Sequence, residues 1–333
     1  MDFEIILQNL KKKIYHPVYL LQGEEPYFID VISDYIEKNV LTEEEKSFNQ
    51  TIFYGKDSDP VSIAESALRY PMMSERQVII VKEAQSLKEI EEIEKYTRKP
   101  LASTILVINY KYKKLDARTK LVKSIKQNGV ILTTKKVYDN KLPAWIENYL
   151  SEKNYSITPQ AAQILTAHLG ANLSKVAREL DKLTIAVGDA KKITPEHIEK
   201  NIGLSKDYNI IELQNALGER NILKANQIIN YFGANSTMHP IQRTTAGLFF
   251  FFSKLFSYHF MEDKSEKGFG NKFNLHPFIA GKYIAAARKF TPSKLYEIIG
   301  ILREYDMKSK GVGSSGSVDD LELQKEMIYK ILH

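Results

Sequence analysis

Cysteine is absent from the 333 residues. That excludes disulfide scaffolds, Cys-ligated zinc, iron–sulfur clusters and thiol catalysis, and it fits a reducing, cytoplasmic setting. Long apolar runs are lacking too. The longest, Ala246 to Phe252, falls far short of the ~20 residues a membrane-spanning helix needs, so no transmembrane segment is predicted. The first residues, Met1-Asp2-Phe3-Glu4, carry no basic region with an apolar core behind it and do not read as a secretory signal. Apolar material is otherwise ample. A hydrophobic share of 43% and a charged share of 26% are ordinary globular usage, which excludes general disorder, and the length predicts two or three domains.

The signatures of nucleotide and metal chemistry are also missing. Gly23-Glu24-Glu25-Pro26 lies between a predicted strand and helix, where a phosphate-cradling loop would sit. The pattern G-x-x-x-x-G-K-[ST] occurs neither there nor elsewhere, and Glu24 and Glu25 would repel phosphate. The strand Val78–Val81 runs into Lys82-Glu83-Ala84 instead of an Asp that could hold magnesium. His16, His168, His197, His239, His259, His276 and His333 form no HExxH or HxxxH pair, and there is no G-x-S-x-G elbow. No cofactor, no metal and no catalytic residue is therefore predicted.

What the chain does have is a charge asymmetry. The net charge of +6 hides an acidic stretch, Glu24 to Glu94, with 17 acidic and 7 basic residues. The next stretch, Lys95 to Lys136, has 12 basic residues and only Asp116 against them. Two solvated surfaces would explain this; so would a basic face that meets phosphate. Lys111, Lys113, Lys114 and Arg118 are the candidate DNA-facing residues, continued by Lys120, Lys123 and Lys126, with Tyr110 and Tyr112 interleaved.

Periodicity supplies the architecture. Short apolar, β-branched runs at Val18–Leu21, Ser47–Phe53, Val78–Val81, Thr104–Ile108 and Gly129–Leu132 predict strands. They alternate with amphipathic helices at Tyr27–Asn39, Val61–Leu68, Ile90–Tyr96 and Thr119–Ile125, so a parallel α/β sheet is predicted up to about residue 140. No strand run recurs from Pro143 onward. Residues 141–205 predict a small helical module: Leu142–Glu152, a helix opened by Thr158-Pro159, Leu173–Val187, and one opened by Thr194-Pro195. Residues 206–333 predict a second, with helices at Ile210–Leu217, Ile222–Phe232, Ile241–Phe260, Lys282–Phe290, Lys294–Asp306 and Leu321–Leu332. Glu262–Asn274 and the Gly/Ser-rich Gly311–Ser317 are predicted loops. Phe249, Phe250, Phe251 and Phe252 turn through more than a full helical turn and suit either a deep core or a core face plus a subunit interface.

Four stretches resemble a known family, the delta subunit of the bacterial DNA polymerase III clamp loader. They are Val18–Glu25, Tyr70–Val81, Leu169–Leu183 and Ile210–Phe232. The resemblance covers nearly the whole chain. It implies an AAA+-like α/β domain over 1–140, a helical lid over 141–205 and a helical collar over 206–333. It also implies a role: binding and opening the sliding clamp (beta subunit) so that the loader can place it on primed DNA. Hydrolysis would be left to other subunits. The implied partners are the clamp, the delta-prime and gamma/tau subunits and primer–template DNA, with no membrane involved. The family's clamp contact, an apolar pair before the strand Val78–Val81, maps onto Met72 and Met73. Familiar members carry Leu or Phe there, so this sequence departs in residue type, though Met also fills apolar pockets. Side by side with this stand two other readings, a divergent AAA+ ATPase and a general nucleic-acid-binding adaptor.

Overall fold

The computed structural model describes residues 1–203, 205, 207–312 and 319–333, so most of the Gly/Ser-rich loop predicted over 311–317 lies outside the described residues. The chain divides into two compact units, Met1–Val137 and Tyr138–His333.

The first unit is built on five parallel strands: β1 (Val18–Gly23), β2 (Gln50–Tyr54), β3 (Gln77–Lys82), β4 (Thr104–Lys111) and β5 (Val130–Thr134). Their order is β2-β3-β4-β1-β5. Consecutive strand residues point to opposite faces, so a continuous apolar run feeds two cores at once. Leu20, Ile79, Val81, Leu106 and Ile108 pack on one face, with Ile63, Leu121 and Ile125 from the covering helices. Tyr19, Leu21, Val78, Ile80 and Val107 pack on the other, with Ile6, Leu10, Ile29, Ile32 and Ile36. Each fully buried side chain of this size is worth about 1.5–3 kcal/mol.

Three details of this unit differ from the sequence reading. A helix at Phe3–Lys11, which buries Ile6 and Leu10, precedes β1. The strand predicted from Ser47 starts at Gln50, because residues 43–49 form a helix. Its signal was local: Thr42 caps Glu45 N–H and the Glu45 carboxylate accepts from Thr42 N–H at 2.8 Å. The helical stretch at Ile90–Tyr96 begins as a 3₁₀ turn over Ile90–Ile93 and becomes α-helical only at Glu94–Thr97.

The second unit is helical, with one two-residue parallel ladder, β6 (Ser156–Ile157) beside β7 (Lys192–Ile193). Thr158 caps the helix Pro159–Leu169 with Pro at its first turn, and Gly188 closes Leu173–Val187. Residues Leu213, Leu217, Phe232, Leu248, Phe252, Tyr305 and Met327 belong to one core that all the later helices share. The loop predicted over Glu262–Asn274 is corrected in part: Glu266–Phe273 is a helix. Gly268 and Gly270 lower its propensity, but Ser265 caps it and Phe269 is fully buried. The helix predicted at Lys282–Phe290 instead runs Pro277–Ala287, opened by Pro277 behind a His276 cap. Among the described residues no helix is long and apolar enough to cross a membrane.

His168 and His239 line a small cavity in this unit with Ile164, Phe232 and Arg243. Burial, then the charges of Arg243, Lys175 and His239, push His168 down to about 4 against the opposing pull of Glu179. Burial and Arg243 lower His239, whose ring stacks on Phe232 at 4.1 Å. A histidine with a depressed folded pKa contributes stability that is complete above about 6.5, the unfolded value, and is lost as pH falls toward 4. Calorimetry between pH 7 and pH 5 should therefore show a falling Tm, and His168→Gln should flatten that slope. Equal slopes would mean that the imidazole titrates alike in both states.

Candidate functional site

The loops at the C-terminal ends of β1, β4 and β5 converge where a doubly wound sheet usually binds its ligand. β1 ends at Gly23, at φ +130°, and a Cβ there would lie 2.3 Å from the Thr134 carbonyl oxygen. Glu24 N–H donates to that carbonyl at 3.2 Å and Glu25 N–H donates to Thr134 Oγ1 at 3.1 Å. Glu25 then caps the helix Pro26–Asn39, its carboxylate accepting from Tyr27 N–H at 3.3 Å. The positive end of that helix is thus met by the chain's own buried carboxylate. Burial pushes Glu25 up, opposed by the Tyr27 and Val137 N–H groups and by Lys136.

The charges beyond β3 and β4 are matched internally. Lys82 pairs with Glu37 at 2.8 Å, and Lys111 pairs with Asp30 at 2.8 Å and Glu83 at 3.1 Å. Burial works against the Lys111 ammonium, but Asp30 and Glu83 outweigh it and raise its pKa. With a side chain only 15% exposed, Lys111 does not present its charge outward as Lys113 and Lys114 do. Arg118 is exposed but folds back on Asp116 at 2.7 Å. Of the four candidate DNA-facing residues, then, Lys113 and Lys114 are the two that are exposed and form no ion pair among the described residues.

Met72 and Met73 lie in the segment between the helix Pro60–Ala67 and β3. Neither residue lies on a helix end: the backbone at 72–75 is a bend, and Met73 sits at φ 52°. Buried Asn49 holds Met72 at both backbone groups, accepting from its N–H at 2.7 Å and donating to its carbonyl at 2.9 Å. Gln77 donates to the carbonyls of Ala67 and Arg69 and, at 2.8 Å, to Thr104 Oγ1. The segment is tied down at both ends while Met73 is fully exposed, with Met72, Tyr70 and Phe48 also largely in solvent. Asn49 and Gln77 were not singled out from sequence, since nothing local marks an amide that will reach a backbone 23 residues away.

The phenylalanine tract lies on the helix Ile241–His259 and is split by the helical turn. Phe251 and Phe252 are core residues, whereas Phe249 is 44% and Phe250 58% exposed. Among the described residues no group of three His, Asp or Glu side chains is placed to hold a metal ion.

Residues 19–135 match the family model for the DNA polymerase III delta subunit. Over 322 residues the chain is 29% identical to DNA polymerase III subunit delta of Bacillus subtilis, covering 91% of each. It is 21% identical to the probable DNA polymerase III subunit delta of Aquifex aeolicus, covering 75% of this chain and 72% of that one. A solved structure, the Bacillus subtilis DNA clamp loader delta protein, superposes with a TM-score of 0.58 at 24% identity over 99% of both chains.

Asn49→Ala should leave the Met72 N–H and carbonyl without their buried partner, at a cost of about 1–3 kcal/mol. The expected result is a lower Tm and faster proteolytic cleavage confined to residues 68–76. An unchanged cleavage pattern would show that Asn49 does not hold the segment.

Proposed function

As a relative of the DNA polymerase III delta subunits, we propose, this chain serves a clamp loader by binding the sliding clamp and stabilising its open form. The observation that carries the reading is the Met72–Met73 segment. Two adaptable apolar side chains stand in solvent on a backbone that Asn49 and Gln77 hold in place. Exposed apolar side chains on a fixed backbone are what a small hydrophobic pocket on a partner can anchor, because little conformational entropy is lost on binding. Met73 carries the cost of a left-handed backbone for a residue with a side chain, about 1–3 kcal/mol, and such costs persist at positions with a binding role.

Nucleotide hydrolysis is left to other subunits in this reading. The support is Glu25, a carboxylate standing where a phosphate would need the helix N–H groups. The remaining parts follow the same proposal. Residues 141–205 act as the lid and 206–333 as the collar that joins delta-prime and gamma/tau subunits, with Phe249 and Phe250 as its apolar contacts. Primer–template DNA is the shared cargo, and the work is cytoplasmic.

The test is binding of the purified chain to the sliding clamp of its own organism without ATP. Tight binding is expected. Replacing Met72 and Met73 together by Ala should weaken it at least tenfold while moving the stability by no more than about 0.5 kcal/mol. Clamp binding that ignores the double substitution would remove these residues from the contact. A large loss of Tm would make them core residues instead.

A further inference from the structure

The segment after β4 is built much like the Met72 loop, and the clamp reading does not use it. Lys111 N–H donates to the Gln85 side-chain carbonyl at 3.1 Å, and its ammonium is held by Asp30 and Glu83. Four residues on, Leu115 is buried and its N–H donates to the Gln22 side-chain carbonyl at 2.9 Å. Between these two anchors Tyr112, Lys113 and Lys114 all point into solvent. Tyr112 is 62% exposed and sits at φ 64°, a backbone state that costs a residue with a side chain about 1–3 kcal/mol. A large aromatic ring is thus held in water at a strained position, on a loop whose two ends are fixed.

A second basic loop flanks it. Gly23 pairs with Lys111 on one side and with Thr134 on the other. Gly23 N–H donates to the Lys113 carbonyl at 2.9 Å, and Glu24 N–H to the Thr134 carbonyl at 3.2 Å. With strands ~4.8 Å apart, the two loops leave the sheet about 10 Å from each other, across one intervening strand. Exposed Lys135 and Lys136 begin the second loop. Lys113, Lys114 and Lys135 form no ion pair among the described residues. Of the acids near this rim, Asp30 and Glu83 are matched by Lys111, Asp116 is matched by Arg118 and Glu25 is buried, while exposed Glu24 accepts from Lys136 N–H at 3.4 Å.

We infer that Tyr112, with Lys113, Lys114 and Lys135 around it, forms a contact for single-stranded nucleic acid, the ring stacking on a base and the ammonium groups neutralising flanking phosphates. The ring selects this class of partner. Lysines alone would take any polyanion, and duplex DNA keeps its base faces stacked away from a side chain, whereas an unpaired base offers a face to an exposed aromatic. The inference deepens the DNA side of the proposed loader role and rests on that reading for its setting. Its test needs neither clamp nor other subunits, so its failure and the failure of clamp binding are separate results.

The experiment is fluorescence anisotropy of the full chain with a labelled oligothymidylate, a mixed-sequence duplex of equal length, and poly-glutamate as competitor. Tyr112→Gly removes the ring and suits the left-handed backbone, so Tm should hold or rise. Oligothymidylate affinity should fall about tenfold in that variant, and Tyr112→Phe should retain it. Replacing Lys113, Lys114 and Lys135 by Ala should reduce the salt dependence of log K by a slope of about 2. Oligothymidylate binding that is absent at low salt, or unchanged in Tyr112→Gly, would overturn the inference. So would competition by poly-glutamate as effective as by unlabelled oligothymidylate, which would mark an acidic-protein site. A fall in Tm for Tyr112→Gly would show that the ring serves the fold.

Discussion

Strand β1 must be buried on both faces and hydrogen-bonded on both edges, and the first unit is arranged to satisfy that demand. All six of its residues are buried, with β4 on one edge and β5 on the other. A strand enclosed in this way can leave the sheet only at its ends. At the C-terminal end Gly23 is the one residue type that fits, because the Thr134 backbone occupies the place of a side chain. The loops after β4 and β5 close over that exit, and their backbone bonds to Gly23 and Glu24 complete the pairing a buried chain requires.

This closure moves the chemistry outward. The crevice at the strand ends is filled by the chain's own groups: Glu25 at the helix N-terminus, and the Lys111–Asp30–Glu83 and Lys82–Glu37 ion pairs beside it. The side chains available to partners stand on the rim instead. Two segments at opposite ends of the parallel sheet, one before β3 and one after β4, share one construction, a left-handed residue with an exposed side chain, Met73 in the first and Tyr112 in the second. Amide side chains anchor both, buried Asn49 and Gln77 for the first and buried Gln22 with half-buried Gln85 for the second. An amide can donate and accept at once, so a single buried Asn or Gln fixes a loop without introducing a charge that would need its own partner. Each of these loops therefore presents its exposed side chain from a backbone already ordered, which limits the entropy lost on binding.

The fold was largely legible in the sequence because its signals are local and redundant. Val78–Val81 and Thr104–Ile108 are β-branched runs that suit only a buried strand, and Thr-Pro pairs at 158–159 and 194–195 mark helix starts that the structure keeps. The misreadings fell where local and tertiary signals disagree. The helix Glu266–Phe273 carries two glycines and a loop's composition, yet burial of Phe269 outweighs their poor propensity. The candidate sites were less legible. Composition places Lys111 and Arg118 in a basic block, but the fold brings Asp30, Glu83 and Asp116 against them.

By itself the sequence determined the α/β-then-helical architecture, the missing phosphate-loop pattern and the delta-subunit resemblance, since each is written in residue type and spacing along a few neighbouring positions. Only the tertiary structure decided which members of those patterns reach solvent. The tract Phe249–Phe252 reads as four equal residues, and helix geometry turns two into core and leaves two outside. The Lys-rich stretch reads as one charge block, and partners from distant segments remove Lys111 from it while leaving Lys113 and Lys114 exposed. The sequence marks Met73 and Tyr112 only by residue type and neighbours, and side-chain hydrogen bonds from residues 22, 49, 77 and 85 to the backbone fix the loops that carry them. Exposure and charge balance depend on contacts made across the fold, and residues far apart in the chain are brought together only when the core forms.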